Sequence, residues 1–524
     1  MKRKNLQKAL AATVFVAVLF LLAAPLLAGG ARITVINTNA AGVGFNDSTP
    51  TTPVGDNAGT TIGQQRLIAV QYAADTWGLL LDSGVEIRVQ ADFSPLQCDA
   101  SSASLAQTGP TFAVAVFPGA PLPGIFRAVA LANKQADRRV VPDSDDISMT
   151  VNVNLGGADC LAGANWYYGL DNAHATDIDL VTVVLHELAH GLGFLTYVNL
   201  NNGVEPLGAP DVFEQNILDT STGKRWTDMT APERAASAVN TGKVAWAGTN
   251  VTASVPTTLR GTPTLTVATP ATVAGNYALG TASFGAALTN GGVSGSLIAA
   301  VDPADAAGSS TFDACSPLTN ASALAGKIAL VDRGTCLFVI KAENAQNAGA
   351  IAVIIADNLD SPTPPGLGGN DPTIMIPVAS ITKAQGAILR TNLDTGVTVS
   401  LHLDPTHLAG AAADNQHLLL YAPNPMEPGS SISHWDTKAL PNLLLEPNIN
   451  GDLPHGVDLT LPALRDIGWF ADFDDDGVPD SQDNCVNVPN PDQADANHNG
   501  IGDPCERSIS KSLRRGGTHG TKYH

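Results

Sequence analysis

The stretch "VTVVLHELAHGLGFLTYV", residues 181–198, constrains this chain more than any other. It opens with an apolar run at helical length, so it reads as a helix buried in a domain core. Yet His186, Glu187 and His190 lie in its middle. Burying such groups is costly unless each finds a partner. Residues four apart stand one turn above each other on a helix, so His186 and His190 point the same way and suit one shared metal ion. Glu187, offset by one position, points towards a water on that metal. The plainer alternative is an ordinary helix with a polar exposed face. Two histidines rarely hold a catalytic metal alone, so a third ligand is expected elsewhere in the chain.

The chain has 524 residues, enough for two to four domains. It begins "MKRKNLQKALAATVFVAVLFLLAAPLLAGGA", with Lys2, Arg3, Lys4 and Lys8 ahead of an apolar run that ends in small residues. Residues 1–31 therefore read as a secretory signal peptide, cut near Ala28 or Ala31, with an uncleaved anchor as the alternative. The expected location is secreted or at the cell surface. No later apolar run is long enough for a transmembrane span in the mature chain. The formal charge is −21; removing a leader with four of the 28 basic residues leaves 24 against 49 acidic ones, near −25. That surface repels nucleic acid and disfavours anionic lipid. Six cysteines in an exported chain permit three disulfides, and sequential pairing is the simplest of 15: Cys98–Cys160, Cys315–Cys336 and Cys485–Cys505.

The expected fold class is α+β and multidomain. Residues 32–255 should form the first part of a mixed α/β domain. "TTIGQQRLIAVQYAADTWGLLL" carries helical spacing, while "VEIRVQADF" and "DDISMTVNVNL" alternate as strands do. In "TDIDLVTVVLHELAHGLG", Thr176 or Asp177 is the expected helix cap, with Asp179 in the first turn and Gly191 and Gly193 at the end. Residues 256–405 change to a Thr-, Ala-, Gly- and Val-rich composition. Residues 406–470 should resume the first domain, closing with a helix in "DLTLPALRDIGWF". Residues 471–506 are acidic, and 507–524 form a basic tail that should be disordered.

Within the second region, "IALVDRGTC", "KAENAQNAGA" and "AVIIADN" resemble the protease-associated (PA) domain. The resemblance implies a β-rich module without catalytic groups, serving as a lid, a substrate-recruiting surface or a plain spacer.

Candidates for the third metal ligand are Glu205, Asp211 and Glu214 soon after the helix, and His434 or His455 beyond the insert. His174, His402, His407 and His417 read as surface or hydrogen-bonded residues. "HELAHGLGF" followed by "PGSSISHWDTKALPNLLLEP" resembles the leishmanolysin-like branch of the metzincins. Those proteins lack a third histidine at the position of Thr196 and carry it downstream in an "SHW" motif, here Ser433–His434–Trp435. The resemblance implies one catalytic zinc held by His186, His190 and His434. Glu187 would serve as general base, deprotonating water for attack on a peptide carbonyl and passing the proton to the leaving amine. The branch places a methionine in a turn beneath the metal. Here that position is Leu445, of similar volume, while Met426 precedes His434 and does not qualify. "ISMTVNVNL" is a candidate edge strand for an extended substrate, with an ordinary interior strand as the equal alternative.

"DFDDDGVPDSQD" sets Asp472, Asp474, Asp476, Val478, Asp480 and Asp483 at the ligand positions of a calcium loop, with Gly477 at its sharp turn. "DANHNGIGDPCE" repeats the spacing with Asp495, Asn497, Asn499, Ile501, Asp503 and Glu506. With "DNCVNVPNPDQAD" between them, the region resembles the thrombospondin type 3 repeat, which implies about two calcium ions. The expected function is secreted zinc-dependent endopeptidase, with proteins or peptides as substrates. The rival is a noncatalytic surface-binding protein with a vestigial zinc site, which Leu445 favours and the intact Glu187 disfavours.

Overall fold

The computed structural model describes residues 30–470, 478, 483–485, 488–496 and 501–505. It is a mixed α/β multidomain molecule. The signal-peptide reading falls on residues outside this range, apart from its last two positions. No helix among the described residues is long and apolar enough to cross a membrane.

The first domain is built on a four-stranded sheet ordered Ile33–Asn37, Ile87–Ser94, Ile147–Asn152, Ala106–Pro110. The first three strands run parallel and the last antiparallel. Ile87, Val89, Ala91 and Phe93 alternate inward, as do Ile147, Met149 and Val151. The strand in "ISMTVNVNL" is thus interior, which excludes the edge reading and leaves its alternative. The edges are Ile33–Asn37 and Ala106–Pro110, the latter paired only with Ile147–Asn152 among the described strands.

Helix Ile62–Leu80 buries Ala69, Val70, Ala73, Ala74 and Trp77, a stripe at helical spacing. The Trp77 indole donates to the Leu185 carbonyl at 3.0 Å, clamping this helix to the one that carries the histidines. That second helix, Leu180–Leu192, is buried on nearly every side. Its N-cap is Asp179, which accepts the Thr182 amide at 2.7 Å; neither Thr176 nor Asp177 caps it. Gly191 lets the helix lie against the sheet, since a Cβ there would meet Ile147 at 2.5 Å. Gly193, at φ +116°, ends the helix in the left-handed conformation that glycine adopts without strain.

Residues from Ile33 to Leu259 and from Leu418 to Trp469 share one continuous core. Residues Leu265–Leu401 instead build two cores of their own, one on each face of an eight-stranded mixed sheet. Helix Phe338–Asn347 covers one face and Lys383–Thr391 the other. The two stems of this unit are neighbours: Gly261–Thr269 pairs antiparallel with Thr398–Leu408. The chain therefore leaves the first domain and returns to it at nearly the same place. On return, Leu418–Leu419 pairs with Val244–Trp246, joining a small antiparallel sheet begun before the insert. Helix Thr460–Asp466 then closes the core. The Trp469 indole donates to the Leu192 carbonyl at 2.8 Å, and Asp466 accepts the Trp246 indole at 2.7 Å. The described disulfides are Cys98–Cys160, Cys315–Cys336 and Cys485–Cys505, the sequential set. Cys98 is thereby committed to a structural bond.

Candidate metal centre

His186 and His190 project from the helix as its spacing requires. His434 arrives from 248 residues beyond His186, and three backbone links position it. The Tyr421 amide donates to the His434 carbonyl at 2.8 Å, the Ile432 amide to the Tyr421 carbonyl at 2.7 Å, and the Asp436 amide to the Leu419 carbonyl at 3.0 Å. Residues 430–436 are thus fixed to the returning strand.

The three imidazoles converge. His186 Nε2 lies 3.2 Å from His190 Nε2 and 3.2 Å from His434 Nε2. They form the one cluster of three metal-ligating side chains among the described residues. Nitrogens each 2.0–2.1 Å from a tetrahedral ion stand about 3.3–3.4 Å apart, so the observed spacing fits zinc. Each ring's other nitrogen faces a backbone carbonyl: His186 Nδ1 at 2.7 Å from Leu444 O, His190 Nδ1 at 2.9 Å from Phe194 O, and His434 Nδ1 at 2.8 Å from Ser430 O. A proton on Nδ1 satisfies that carbonyl and leaves the Nε2 lone pair free for a metal. Burial holds all three rings in the neutral form. It lowers His186 to about 3, helped by the neighbouring His190 and opposed by the Leu444 carbonyl. His190 and His434 shift down for the same principal reason. Neutral imidazole is the form a metal needs.

Glu187 is buried beside them, and burial raises its carboxyl to about 7. The Thr108 hydroxyl on the edge strand lies near enough to favour the charged form, without completing a hydrogen bond of normal geometry. A bound dication would favour the carboxylate further.

The other candidates have different work. Thr196, at the position of the missing nearby histidine, donates to Asp211 at 2.8 Å. Asp211 also accepts the Tyr197 and Glu214 amides at 2.6 and 2.7 Å, so it braces the loop after the helix. Glu205 and Glu214 lie 3.0 and 3.4 Å from the Arg234 guanidinium. His455 contacts Asp179 at 3.0 Å, at the far end of the helix. His174, His402, His407 and His417 bond respectively to the Asp177 carbonyl, Thr266, Asp404 and Asp414. Leu445 is fully buried, and its carbonyl accepts the Trp435 amide at 2.8 Å. With Leu444 holding His186, this turn connects two of the three histidine positions. Nothing in the sequence singles out Leu444, Ser430 or Phe194, because they act through their carbonyls.

The centre opens into a cleft of about 1140 Å³. The edge strand contributes Ala106, Gln107 and Thr108; the helix contributes Val183, Glu187 and the two histidines; Pro447–Ile449 line another part. An exposed strand edge beside the centre can add an extended peptide by backbone hydrogen bonds.

In the C-terminal region, Asp483 Oδ1 accepts the Cys485 amide at 2.7 Å, while its buried Oδ2 has no partner among the described residues. An orphaned carboxylate oxygen suits a cation. Asp503 accepts the Ala496 amide at 3.0 Å. Val478, Asp495 and Ile501 are also described. Asp472, Asp474, Asp476, Asp480, Asn497, Asn499 and Glu506 lie outside the described residues.

Residues 293–389 match the PA domain and residues 471–493 the thrombospondin type 3 repeat. The chain thus contains both modules. It is 42% identical over 100 residues to a probable lipoprotein aminopeptidase, LpqL, of Mycobacterium tuberculosis, covering 19% of each chain. It is 42% identical over 91 residues to the human ER degradation-enhancing alpha-mannosidase-like protein 3, covering 16% of this chain and 10% of the other. It is 43% identical over 83 residues to vacuolar-sorting receptor 3 of Arabidopsis thaliana, covering 14% and 13%. The chain spans about a fifth or less of the length of these curated relatives. Among solved structures, a zinc aminopeptidase from Bacillus subtilis matches at 26% identity with a TM-score of 0.21, over 29% of this chain and 36% of that one. These matches are of single-domain length, and their names range from peptidase to receptor. They do not assign an activity to this chain.

Proposed function

We propose that the protein is a zinc-dependent peptidase whose centre lies outside the PA domain, on His186, His190 and His434. The observation that carries this reading is the convergence of three Nε2 atoms with spacings of 3.2 Å, each ring oriented by a carbonyl, beside a buried glutamate. Zinc bound there would polarise a peptide carbonyl and make water acidic enough to yield its proton near neutral pH. With zinc held by the three histidines, Glu187, buried beside them, would be the group to accept a proton from water and return it to the departing amine. The Leu444, Phe194 and Ser430 carbonyls keep the rings in register through the cycle.

The cleft supports one mode of cleavage. Its wall includes part of Ala106–Pro110, an edge unpaired on its outer side among the described strands, and an edge of that kind can hold an extended main chain by hydrogen bonds. We therefore favour an endopeptidase over an enzyme that trims single residues. "HELAHGLGF" and the displaced "SHW" support a reading akin to the leishmanolysin-like metzincins, and the leader-like residues 1–31 and the three disulfides support a secreted protein in calcium-rich surroundings. About two calcium ions would order the C-terminal repeats, and the PA domain would recruit or screen protein substrates.

The test is casein hydrolysis by the full chain with zinc removed and restored at constant calcium. Activity should vanish and return. Glu187→Gln should keep zinc bound and lower kcat at least 100-fold, in line with loss of a general base. Wild-type turnover by that variant would overturn the mechanism.

A further inference from the structure

The roof of the cleft is residues 97–105, held as a loop by the Cys98–Cys160 disulfide and by the Leu161 amide on the Asp99 carbonyl at 2.7 Å. The cleft wall is otherwise apolar or neutral: serines, glutamine, asparagine, leucine, isoleucine and proline. Setting aside the histidines and Glu187, Asp99 is the single charged side chain among the described residues that line it.

Asp99 is also fixed in place. Its Oδ1 accepts the Ser101 amide and hydroxyl, both at 2.8 Å, and the Ser102 amide at 2.9 Å. Its Oδ2 accepts only the Ser102 hydroxyl, at 3.0 Å. A carboxylate offers about four acceptor sites, two on each oxygen, so Oδ2 retains room for a further donor. The serine hydrogen bonds lower its pKa to about 2, which keeps it anionic wherever the protein is folded. The loop leads directly into the edge strand and lines the same cleft, so a peptide lying along Ala106–Pro110 would run close to it.

We propose that Asp99 is a specificity determinant that selects substrates presenting a cationic group to the roof of the cleft. This rests on the peptidase reading above. The cation has two sources, a lysine or arginine side chain within the substrate or a free amino terminus, and the chemistry at Asp99 is the same for both. An exposed carboxylate attracts a cation about 4 Å away by an amount worth roughly five-fold in binding. Because the group is open to solvent, the preference should shrink as salt rises above about 0.15 M.

The experiment uses two pairs of peptides. One pair is blocked at both ends and differs by an internal lysine or leucine. The other pair is neutral and differs by a free or acetylated amino terminus. For wild type and Asp99→Asn, the ratio of kcat/KM within each pair is measured. Asn preserves the turn but removes the charge. The ratio should fall about five-fold in one pair, which identifies the source of the cation, and Asp99→Glu should retain it. A purely structural role would slow both members of a pair alike and leave the ratios intact, overturning the proposal. The same ratios are read as Kd on Glu187→Ala, with and without Asp99→Asn. If wild type hydrolyses nothing, the peptidase reading falls, while the Kd ratios still decide the role of Asp99.

Discussion

Replacing His434 by alanine tests the centre at its least obvious member. The side chain contributes one nitrogen to the cluster and one hydrogen bond to the Ser430 carbonyl. Four-ligand structural zinc sites bind with apparent free energies of about 10–16 kcal/mol. Shared equally, one ligand is worth roughly 2.5–4 kcal/mol, so His434→Ala should weaken zinc binding by about 100- to 1,000-fold. The assay is competition against a zinc-selective chromophoric chelator, with calcium held constant so that the C-terminal repeats do not contribute. Losing the Ser430 hydrogen bond should lower the stability of the zinc-free protein by only about 1 kcal/mol. Melting without zinc therefore separates a missing ligand from a damaged fold. His455→Ala is the matched control, since His455 contacts Asp179 and not the cluster. Zinc affinity within three-fold of wild type for His434→Ala would refute the ligand assignment and, with it, the idea that the site is assembled across the insert.

Two further substitutions probe the surroundings. Burial raises the Asp211 carboxyl from 3.8 to about 6. A raised folded-state value means stability is fully present below about pH 4 and is lost as pH climbs through 6, by about 3 kcal/mol for a shift of this size. The difference between the stability–pH curves of wild type and Asp211→Asn, from denaturant melts at pH 4–6.5, should show that fall; a constant difference would contradict it. Leu445→Met installs the methionine that the leishmanolysin resemblance implies for this turn. Because leucine and methionine have similar volumes, its stability change should stay under about 1.5 kcal/mol and zinc affinity should move less than ten-fold, both read by the assays above.

What could be read from sequence divides along physical lines. Strands Ile87–Ser94 and Ile147–Asn152 were legible because one face of each is buried, which imposes apolar alternation. The edge strand, "AQTGP", carries no such pattern; none of its residues is fully buried, and only its pairing with Ile147–Asn152 defines it. That is why alternation alone left Ile147–Asn152 open as edge or interior and did not point to Ala106–Pro110. The helix cap was misplaced by a similar cause. Ile178–Asp179 pairs in parallel with Trp166–Tyr167, so the helix cannot begin before Leu180. His186, Glu187 and His190 follow from helical spacing, whereas His434 was found through the resemblance to a family motif, since spacing alone left other residues open. Asp99 gave no signal at all: an exposed aspartate in a serine-rich loop matters only once folding sets it over the cleft.

The insert between the second and third histidines raises the question of whether so distant a ligand can be held cheaply. His190 and His434 are 244 residues apart in sequence. Closing a flexible loop of that length, compared with one shorter by the 148 residues from Gly261 to Leu408, adds only about 0.8 kcal/mol, because the entropy grows with the logarithm of length. A folded insert reduces even that. Its stems pair as antiparallel neighbours at Gly261 and Leu408, so the first domain experiences the insert as a short connection. The stems are also fastened to the site side of the domain. The Arg260 amide donates to Leu440 O at 2.7 Å, and the Ala409 amide to Arg260 O at 2.9 Å. Leu440 lies between His434 and Leu444, the residue whose carbonyl orients His186. The junction thus helps position the segment that completes the centre, and a domain placed there interrupts the sequence without interrupting the geometry.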